Sequence, residues 1–431
     1  MELILKQYDI PLLRFSATND SSTPEIEVHW INEDQRHLLP LDMELSPEGI
    51  SRWMRRRTIP RNRAYVNRLL AKCGLNANRP MGILALCKGL SVDDSYWVVE
   101  EGFEGTFEKY NLFENRFSEV LALIAFTGYG SSNRSSLASS PEFTTNGMLP
   151  KCWRRISGKV TLYKGGTDGG YNTGAEPYCE YYAAQVAAAM GIDAIPYGLS
   201  QWKGRLCSTC ELFTDIDHAY MPIGNLVQRG GFDAVAAYYE KLGEPFQKAF
   251  RDMLVFDAVI CNTDRHYGNF GFIIDNKTNT IAAPAPLFDH GNSLFNQAGP
   301  EDYESAEAFQ QYIDTLVPCV YDDFFATAKR FMADENREQL RKLLGFRFKR
   351  HVRYNLPPKR LKLMEEQVRK RAMRLLENKE YSRMPVDTAN LINVMAGLKL
   401  DLERWKERSG MEELEMCRAW RELLEDAREE G

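Results

Sequence analysis

The segment CNTDRHYGNF, residues 261–270, places an aspartate and an asparagine five positions apart in one short stretch. An apolar run with helical spacing leads into this segment, and an apolar run typical of a strand follows it. Asp264 and Asn269 are therefore expected on a loop that regular structure supports on both sides, which favours chemically active side chains. Further on, in LFDHGN (287–292), Asp289 again follows an apolar run and precedes a glycine by two positions.

This set of two carboxylates and one amide fits the chemistry of phosphoryl transfer. One carboxylate orients or deprotonates the attacking hydroxyl group, while an asparagine and a second carboxylate bind Mg²⁺ on the phosphates of ATP. Kinases place the first aspartate and the asparagine in the pattern D-x-x-x-x-N and the second aspartate in D-F-G. Asp264 and Asn269 reproduce the first spacing, and Asp289 begins a D-x-G sequence.

Candidates for the upstream half of such a site are also present. Lys164 ends an apolar strand and is the candidate for contact with the α- and β-phosphates of ATP. Glu180 follows sixteen residues later, near the start of the next helix, and is the candidate partner of Lys164. Asn146 and Gly147 are the candidate turn of a hairpin that covers the phosphates, with a strand on either side.

Two of these assignments have alternatives. Lys151 and Lys159 are close to Lys164 in the sequence, and each could be the lysine that contacts phosphate. Glu180 could instead be a first-turn helix carboxylate that the helix dipole favours.

In this order, the residues resemble the HipA-like serine/threonine kinases, a bacterial branch of the protein-kinase-like fold. The resemblance covers about residues 140–380, and the wording of 264–269 is also similar to the catalytic loop of phosphatidylinositol kinases. It implies a two-lobed α+β fold, with a β-rich small lobe and a mainly helical large lobe, that uses ATP and Mg²⁺. By this resemblance, Lys164 corresponds to the nucleotide lysine of the family and Glu180 to its helix glutamate. Asp264 corresponds to the catalytic aspartate, and Asn269 and Asp289 correspond to the two metal ligands.

The phosphate-covering segment TTNGMLPK, residues 144–151, departs from this family. It contains one glycine instead of a glycine-rich run, and it lacks the serine-glycine wording of the family. Thr144 and Thr145 could take the hydroxyl role, and we expect autophosphorylation on one of them or on a serine of 131–140. The chain also lacks a long activation segment that ends in A-P-E, so regulation of the eukaryotic kind is not expected.

A lone C-x-x-C sequence, from Cys207 to Cys210, lies in an apolar run just before Glu211 and Phe213. Without a second cysteine pair or a histidine pair, it does not predict a zinc site, and the cysteines are expected to be small core residues. By its position, this run is where a kinase binds adenine. Backbone groups around Glu211 and Phe213 are therefore the candidate adenine contacts.

The length of 431 residues exceeds one ordinary hydrophobic core, so several packed units are expected. Hydrophobic residues make up 44% and charged residues 26%, which excludes a disordered chain, a collagen-like repeat and a coiled-coil rod. The expected units are an N-terminal α+β accessory module (1–126, the N-terminal module below), a serine-rich linker (127–142), a small lobe (143–213) and a large lobe with a helical end (214–431). No apolar run spans a bilayer and no signal peptide is recognised, so a cytoplasmic location is expected.

The net charge of −6 conceals two basic stretches. Residues 49–92 contain ten lysines and arginines and no acidic residue, and residues 341–374 contain thirteen against two glutamates. Such stretches could bind an acidic protein or a nucleic acid, and the family resemblance would allow an antitoxin-like protein as the partner. The alternative, which we favour, is that both stretches form solvated helix faces.

Other functions share some of these residues. A two-metal hydrolase could use Asp264, His266, Asp289 and His290, but it gives no role to the lysine and glutamate upstream. A pseudokinase would use the same fold to bind a protein or nucleic-acid partner without catalysis. A lipid or small-molecule kinase would use the same residues on another acceptor, although no basic amphipathic membrane helix is evident.

Overall fold

The computed structural model describes residues 1–18, 24–130, 140–169 and 173–377. The strands are β1 Glu2–Gln7, β2 Ile10–Ala17, β3 Ile26–Ile31, β4 Tyr96–Glu100, β5 Lys151–Ile156, β6 Lys159–Gly165, β7 Gly198–Trp202, β8 Arg205–Glu211, β9 His218–Pro222, β10 Gly271–Asp275 and β11 Thr280–Pro284. The α-helices are α1 Pro47–Arg56, α2 Val66–Lys72, α3 Pro80–Cys87, α4 Phe107–Tyr110, α5 Glu119–Thr127, α6 Glu176–Met190, α7 Ile223–Leu226, α8 Gly231–Leu242, α9 Glu244–Ile260, α10 Ala306–Asp314, α11 Phe324–Phe331, α12 Asp334–Arg341 and α13 Pro358–Leu376. Short 3₁₀ helices occur at Glu33–Leu38, Pro141–Phe143 and Glu301–Tyr303.

The N-terminal module is built on an antiparallel sheet with the strand order β3-β2-β1-β4. Side chains of β1 alternate between more and less buried positions, and Leu3 and Leu5 are on the buried face. Ile50 and Trp53 of α1 belong to the same apolar cluster as these leucines. One face of the sheet is thus covered by helix, which is the usual arrangement for an antiparallel sheet.

The small lobe contains an antiparallel sheet with the order β5-β6-β8-β7, and α6 contacts its strands. In the β5–β6 hairpin, Lys151 lies directly opposite Lys164. The sequence favours α6 because Pro177 is compatible with the first turn and Gly191 ends the helix with a φ of +80°. This geometry places the end of β6 beside the first turns of α6, where Glu180 is buried.

The large lobe joins the antiparallel sheet β11-β10-β9 to helices α7 to α13. The central helix α9 is buried along its second half, and it contacts α8, α11 and α13. It ends at Cys261, whose φ of +53° turns the chain out of the helix. The loop 261–270 begins at this point and leads directly into β10, so its two ends are attached to the buried core of the lobe.

The three parts share one compact unit, Met1–Leu376. One apolar cluster includes Leu70 of the N-terminal module, Phe126 of α5 and Phe143 and Cys152 of the small lobe. The predicted α+β class, with an N-terminal module before a β-rich and a mainly helical part, is confirmed. The boundaries near residues 126, 142 and 213 stay predictions, and most of the predicted linker (131–139) and the end of the chain (378–431) lie outside the described residues.

Length and hydrophobicity decide whether a helix can span a membrane. Among the described residues, every helix is too short or too polar to cross a bilayer.

Candidate active site

Lys164 joins two carboxylates that come from different parts of the chain. Its Nζ atom lies 2.6 Å from Oε1 of Glu180 and also contacts Oδ1 of Asp289, which follows β11. Ser208 of β8 donates its hydroxyl hydrogen to the other carboxylate oxygen of Glu180. The side chains of Lys164 and Glu180 are buried, whereas that of Asp289 is 35% exposed. The structure thus brings together three residues that the sequence predicts to act as a group.

The charges of this group stabilise one another. Burial alone would lower the pKa of Lys164, but the carboxylates of Asp289 and Glu180 together outweigh it, and the pKa is raised above its usual value. Burial would raise the pKa of Asp289, but the positive charges of Lys164, Lys151 and Arg265 together outweigh it, and the pKa is lowered. For Glu180, burial outweighs the effect of Lys164, so its pKa is raised. At neutral pH the group therefore presents a charged lysine beside an ionised Asp289.

Arg265 fixes the loop 261–270 from inside the large lobe. Its buried guanidinium donates to both carboxylate oxygens of Asp257 on α9, at 2.9 and 3.0 Å. Its Nη1 atom also donates to the backbone carbonyl of Asn269 at 3.0 Å and to that of Phe288 at 2.7 Å. One side chain therefore connects the two candidate metal-binding segments of the sequence, since Phe288 directly precedes the second aspartate.

The carboxylate of Asp264 has a defined orientation on this loop. Asn292 donates its side-chain N–H to Oδ2 of Asp264 at 2.8 Å. Asn269 donates to the backbone carbonyl of Asp264 at 3.2 Å, and the backbone N–H of Asp264 donates to Oδ1 of Asn262 at 3.1 Å. These contacts leave Oδ1 of Asp264 without a hydrogen bond from any other residue that the structure describes. That oxygen is therefore suited to accept the proton of an incoming hydroxyl group.

Asp289 adopts a left-handed backbone conformation, with a φ of +56°, which is uncommon for a residue other than glycine. Its backbone N–H donates to the hydroxyl oxygen of Tyr197 at 3.1 Å. The preceding residue, Phe288, packs against Phe213 and Tyr220 with ring centroids 5.4 and 5.2 Å apart. These contacts hold the strained residue in place, and strain of this kind is typical of functional sites.

A second lysine lies close to Lys164. Lys151 occupies the facing position on β5, and its Nζ atom donates to the carbonyl of Asn146 at 2.8 Å. Burial, followed by the charge of Lys164, lowers the pKa of Lys151 to about 7. Gly147 has a φ of +90°, and a Cβ atom at this position would lie 2.2 Å from Nζ of Lys151. The backbone angle of this turn therefore favours glycine, and a larger residue would displace the ammonium group of Lys151.

The predicted hairpin around Asn146 and Gly147 is wrong on one side. Strand β5 follows the turn, but the 3₁₀ helix Pro141–Phe143 precedes it in place of a strand. Pro141 cannot donate a ladder hydrogen bond, and Ser140 caps the short helix through the N–H of Glu142, so the local sequence favours a turn over a strand.

Glu211 and Phe213 lie at the end of β8 and just beyond it. The carboxylate of Glu211 contacts Lys159 at 2.7 Å, and these two side chains are 60% and 66% exposed. Lys159 is therefore far less suited than Lys164 to be the phosphate lysine. The N–H of Leu212 already donates to the carbonyl of Val160, so an adenine ring would have to use other backbone groups of 211–213.

A cavity of about 870 Å³ opens beside these groups, a size typical of small-molecule sites. Residues 55–61 of the N-terminal module form part of its wall. The predicted site residues that line it are Asn146, Gly147, Lys164, Glu211, Phe213, Asn269 and Asp289.

The oxygen atoms at this cavity suit Mg²⁺. Asp289 offers a partly exposed carboxylate, and the amide nitrogen of Asn269 is bonded to a carbonyl, which leaves its amide oxygen as the possible ligand. In the described part of the chain, no cluster of three or more histidine, cysteine, aspartate or glutamate side chains could hold a metal ion. Mg²⁺ needs no such cluster, because one or two protein ligands usually bind it together with phosphates and water.

Sequence reasoning missed several residues that support the site. Arg265 stands beside Asp264 in the quoted loop, and an arginine next to a candidate catalytic carboxylate was a usable signal. Ser208, Tyr197 and Asn292 gave no such signal, because each acts on a residue that is distant in sequence or is one polar loop residue among many.

Comparison with known proteins supplies a sequence relative but no family model, since none matches the chain. Over 135 residues the chain is 27% identical to the serine/threonine-protein kinase CtkA of Helicobacter pylori, strain J99. The alignment covers 28% of this chain and 41% of that protein, so the chain spans about two-fifths of the length of the curated relative that it matches.

Solved structures give weaker similarity. The crystal structure of the H. pylori proinflammatory kinase CtkA has a TM-score of 0.45 and 15% identity, covering 54% of this chain and 90% of that chain. The Shewanella oneidensis MR-1 toxin–antitoxin complex of HipA, HipB and operator DNA has a TM-score of 0.46 and 13% identity, covering 87% and 97%. The resemblance to serine/threonine kinases that the sequence predicts is confirmed by the sequence relative.

Proposed function

We propose that the protein is an ATP-dependent kinase that transfers the γ-phosphoryl group of ATP to a serine or threonine hydroxyl group of a protein. One observation carries this proposal: Lys164 bridges Glu180 and Asp289 beside the cavity, and Arg265 connects the Asp289 segment to the loop of Asp264. A two-metal hydrolase would need a cluster of metal ligands, and it would leave the lysine–glutamate pair without a role.

Each side chain then has a defined task. Lys164, held by Glu180, contacts the α- and β-phosphates of ATP. Asn269 and Asp289 would hold Mg²⁺, and the ion would supply positive charge to neutralise the phosphates of ATP. The acceptor oxygen bonds to the γ-phosphorus while the bond to the bridging oxygen of ADP breaks, and the hydroxyl proton passes to Asp264. Most of the rate enhancement comes from positioning and charge, since the protein forms no covalent bond itself.

The test separates binding from catalysis. Asp264→Asn should nearly abolish phosphoryl transfer from labelled ATP and should keep most of the thermal shift that Mg-ATP produces. Asp289→Ala should abolish turnover of Mg-ATP. Asp314→Asn, which changes an exposed carboxylate on α10, serves as the matched control and should behave as wild type. Full activity of the purified Asp264→Asn or Asp289→Ala variant would refute the assignment.

The same assays distinguish the alternatives. A thermal shift with Mg-ATP but no transfer by the wild-type protein would indicate a pseudokinase. Transfer to lipid or small-molecule hydroxyl groups, without labelling of any protein, would indicate another acceptor class. A mass increment larger than one phosphoryl group would indicate transfer of the nucleotide instead. Mass spectrometry of phosphorylated host proteins, with wild type against Asp289→Ala, identifies the acceptor.

Autophosphorylation is a further part of the proposal. Thr144 is buried, and its hydroxyl group donates to the carbonyl of Leu90 at 2.9 Å. Thr145 donates to the carbonyl of Pro141 at 2.7 Å. Either hydroxyl group would have to leave its present partner before it could react, whereas the candidate serines of 131–139 lie outside the described residues. Intact mass after incubation with Mg-ATP tests this part, and a mass without added phosphate counts against it.

A protein or nucleic-acid partner at the basic stretches is also a proposal. In 49–92, Arg57 and Arg63 are buried and paired with Asp94 and Glu142, so they are not part of a free surface. In 341–374, the apolar side of α13 is buried, and its exposed basic residues are Lys359, Lys362, Lys370 and Arg374. Binding to duplex DNA that weakens steeply with salt would support a nucleic-acid partner.

A further inference from the structure

Arg63 belongs to the N-terminal module, yet its guanidinium group is bound by the small lobe. It lies just before α2, and its side chain is only 1% exposed. Its Nη2 atom donates to Oε2 of Glu142 at 2.5 Å and to the carbonyl of Lys151 at 2.8 Å. Its Nη1 atom donates to the carbonyls of Glu142 and, at 3.4 Å, of Thr145.

These acceptors stand on both sides of the phosphate-covering turn. Glu142 precedes the turn (144–151), Thr145 lies near its start and Lys151 is its last residue, so one guanidinium group connects the two ends. The next residue of the module, Ala64, donates its backbone N–H to the carbonyl of Met148 at 2.8 Å. The module therefore contacts the turn at its start, its middle and its end.

Further hydrogen bonds connect the turn to the ion pair of Arg63 and Glu142. The second carboxylate oxygen of Glu142, Oε1, accepts the backbone N–H of Trp153 at 2.8 Å. The indole N–H of Trp153 donates to the hydroxyl oxygen of Thr145 at 3.0 Å. A guanidinium group suits this position because it presents several donors in one plane, which the single ammonium group of lysine cannot do.

We infer that Arg63 is a positioning residue of the nucleotide site, through which the N-terminal module sets the conformation of the phosphate-covering turn. This inference rests on the proposed function in so far as the turn covers the phosphates of ATP. Within the turn, the ammonium group of Lys151 bonds to the carbonyl of Asn146, and the remaining contacts that fix its shape come from outside it. The contacts of Arg63, Ala64 and Glu142 supply that shape.

The experiment compares Arg63→Lys with Arg371→Lys. Arg371 serves as the control because its side chain is also buried and donates to a backbone carbonyl, that of Ala258 at 2.6 Å, but it lies on α13 and is not among the residues that line the cavity. Hydrogen exchange of residues 144–151 is measured in the nucleotide-free proteins, followed by kcat and KM for ATP. We expect faster exchange in 144–151 and a KM for ATP raised about tenfold in Arg63→Lys only, with a smaller change in kcat.

Each outcome decides the inference. Unchanged exchange in Arg63→Lys, or an equal change in Arg371→Lys, overturns it, and so does faster exchange with unchanged KM and kcat. If the wild-type protein does not turn over ATP, the proposed function fails, but the exchange data still test the contact between the module and the turn. If Arg63→Lys does not fold, Trp153→Phe removes the indole contact alone and should speed exchange at 144–151 to a lesser degree.

Discussion

The guanidinium group of Arg265 binds both carboxylate oxygens of Asp257 in the interior of the large lobe, and both side chains are almost fully buried. Breaking such a pair leaves an uncompensated buried charge, so Arg265→Met should destabilise the protein by about 3–5 kcal/mol. The double variant Arg265→Met/Asp257→Leu should recover most of this loss, because it buries no charge. It should stay inactive, since the carbonyls of Asn269 and Phe288 have lost their donor. Urea unfolding and a transfer assay check both statements, and an active double variant would contradict the second.

Lys164 neutralises Glu180, and its removal should make stability depend on pH. In Lys164→Met, the buried carboxyl of Glu180 has a pKa further above its unfolded value of about 4.3. Below that pH the group is protonated in both states and carries no penalty. As the pH rises, ionisation favours the unfolded state, so the variant should lose stability relative to wild type. Lys164→Met/Glu180→Gln should remove this dependence without restoring ATP binding, and unfolding at pH 5 and pH 8 measures it.

Gly147 and Gly158 offer a matched pair of substitutions. Both have positive φ angles, of +90° and +84°, but only Gly147 has a neighbour close to the position of a Cβ atom. Gly158→Ala should therefore lose about 1 kcal/mol through backbone strain alone. Gly147→Ala should lose more and should weaken ATP binding, because Lys151 must move away. Equal losses of stability with equal ATP affinity would show that the contact with Lys151 is unimportant.

Lys151 should make the nucleotide-free protein less stable at low pH. Its pKa is lowered from 10.5 to about 7 by burial and by Lys164. Between these values the unfolded chain binds more protons than the folded protein, so this group makes stability rise with pH, and its full penalty is present below pH 7. Lys151→Met should thus stabilise the protein more at pH 6 than at pH 9. Denaturant unfolding at both pH values tests this, and a gain independent of pH would be the contrary result.

Local patterns made much of the fold predictable. The β5–β6 hairpin follows from two strand-like runs around a turn at Ser157-Gly158, and helix α6 follows from a proline near its start and a glycine at its end. The N-terminal strands were less clear, because residues 3–10 suggest a single strand. The structure instead has a reversal at Tyr8, with a φ of +49°, between β1 and β2. A tyrosine at positive φ carries no turn signal, so the sequence does not reveal this hairpin.

The order of the site residues could be predicted because each one stands next to its own motif. The contacts that hold them could not, since they join positions far apart in the chain. Arg63 and Glu142, for example, are separated by 79 residues, and neither lies in a recognisable motif. In α13, helical spacing predicts Met373 on the inner side, but it is 45% exposed while Ala372 and Leu375 are buried. Periodicity gives the direction of a helix face only approximately, and packing decides its edges.

The apolar cluster that joins the N-terminal module to the small lobe has a consequence for how such proteins can be divided. A chain that began near residue 140 would expose Phe143 and Cys152 to water and would leave Glu142 without its cation. It would therefore be prone to aggregate, and adding the missing half as a separate chain would have to restore a core as well as an ion pair. The small lobe therefore depends on the N-terminal module for part of its core, and the two should be expressed and engineered as one piece.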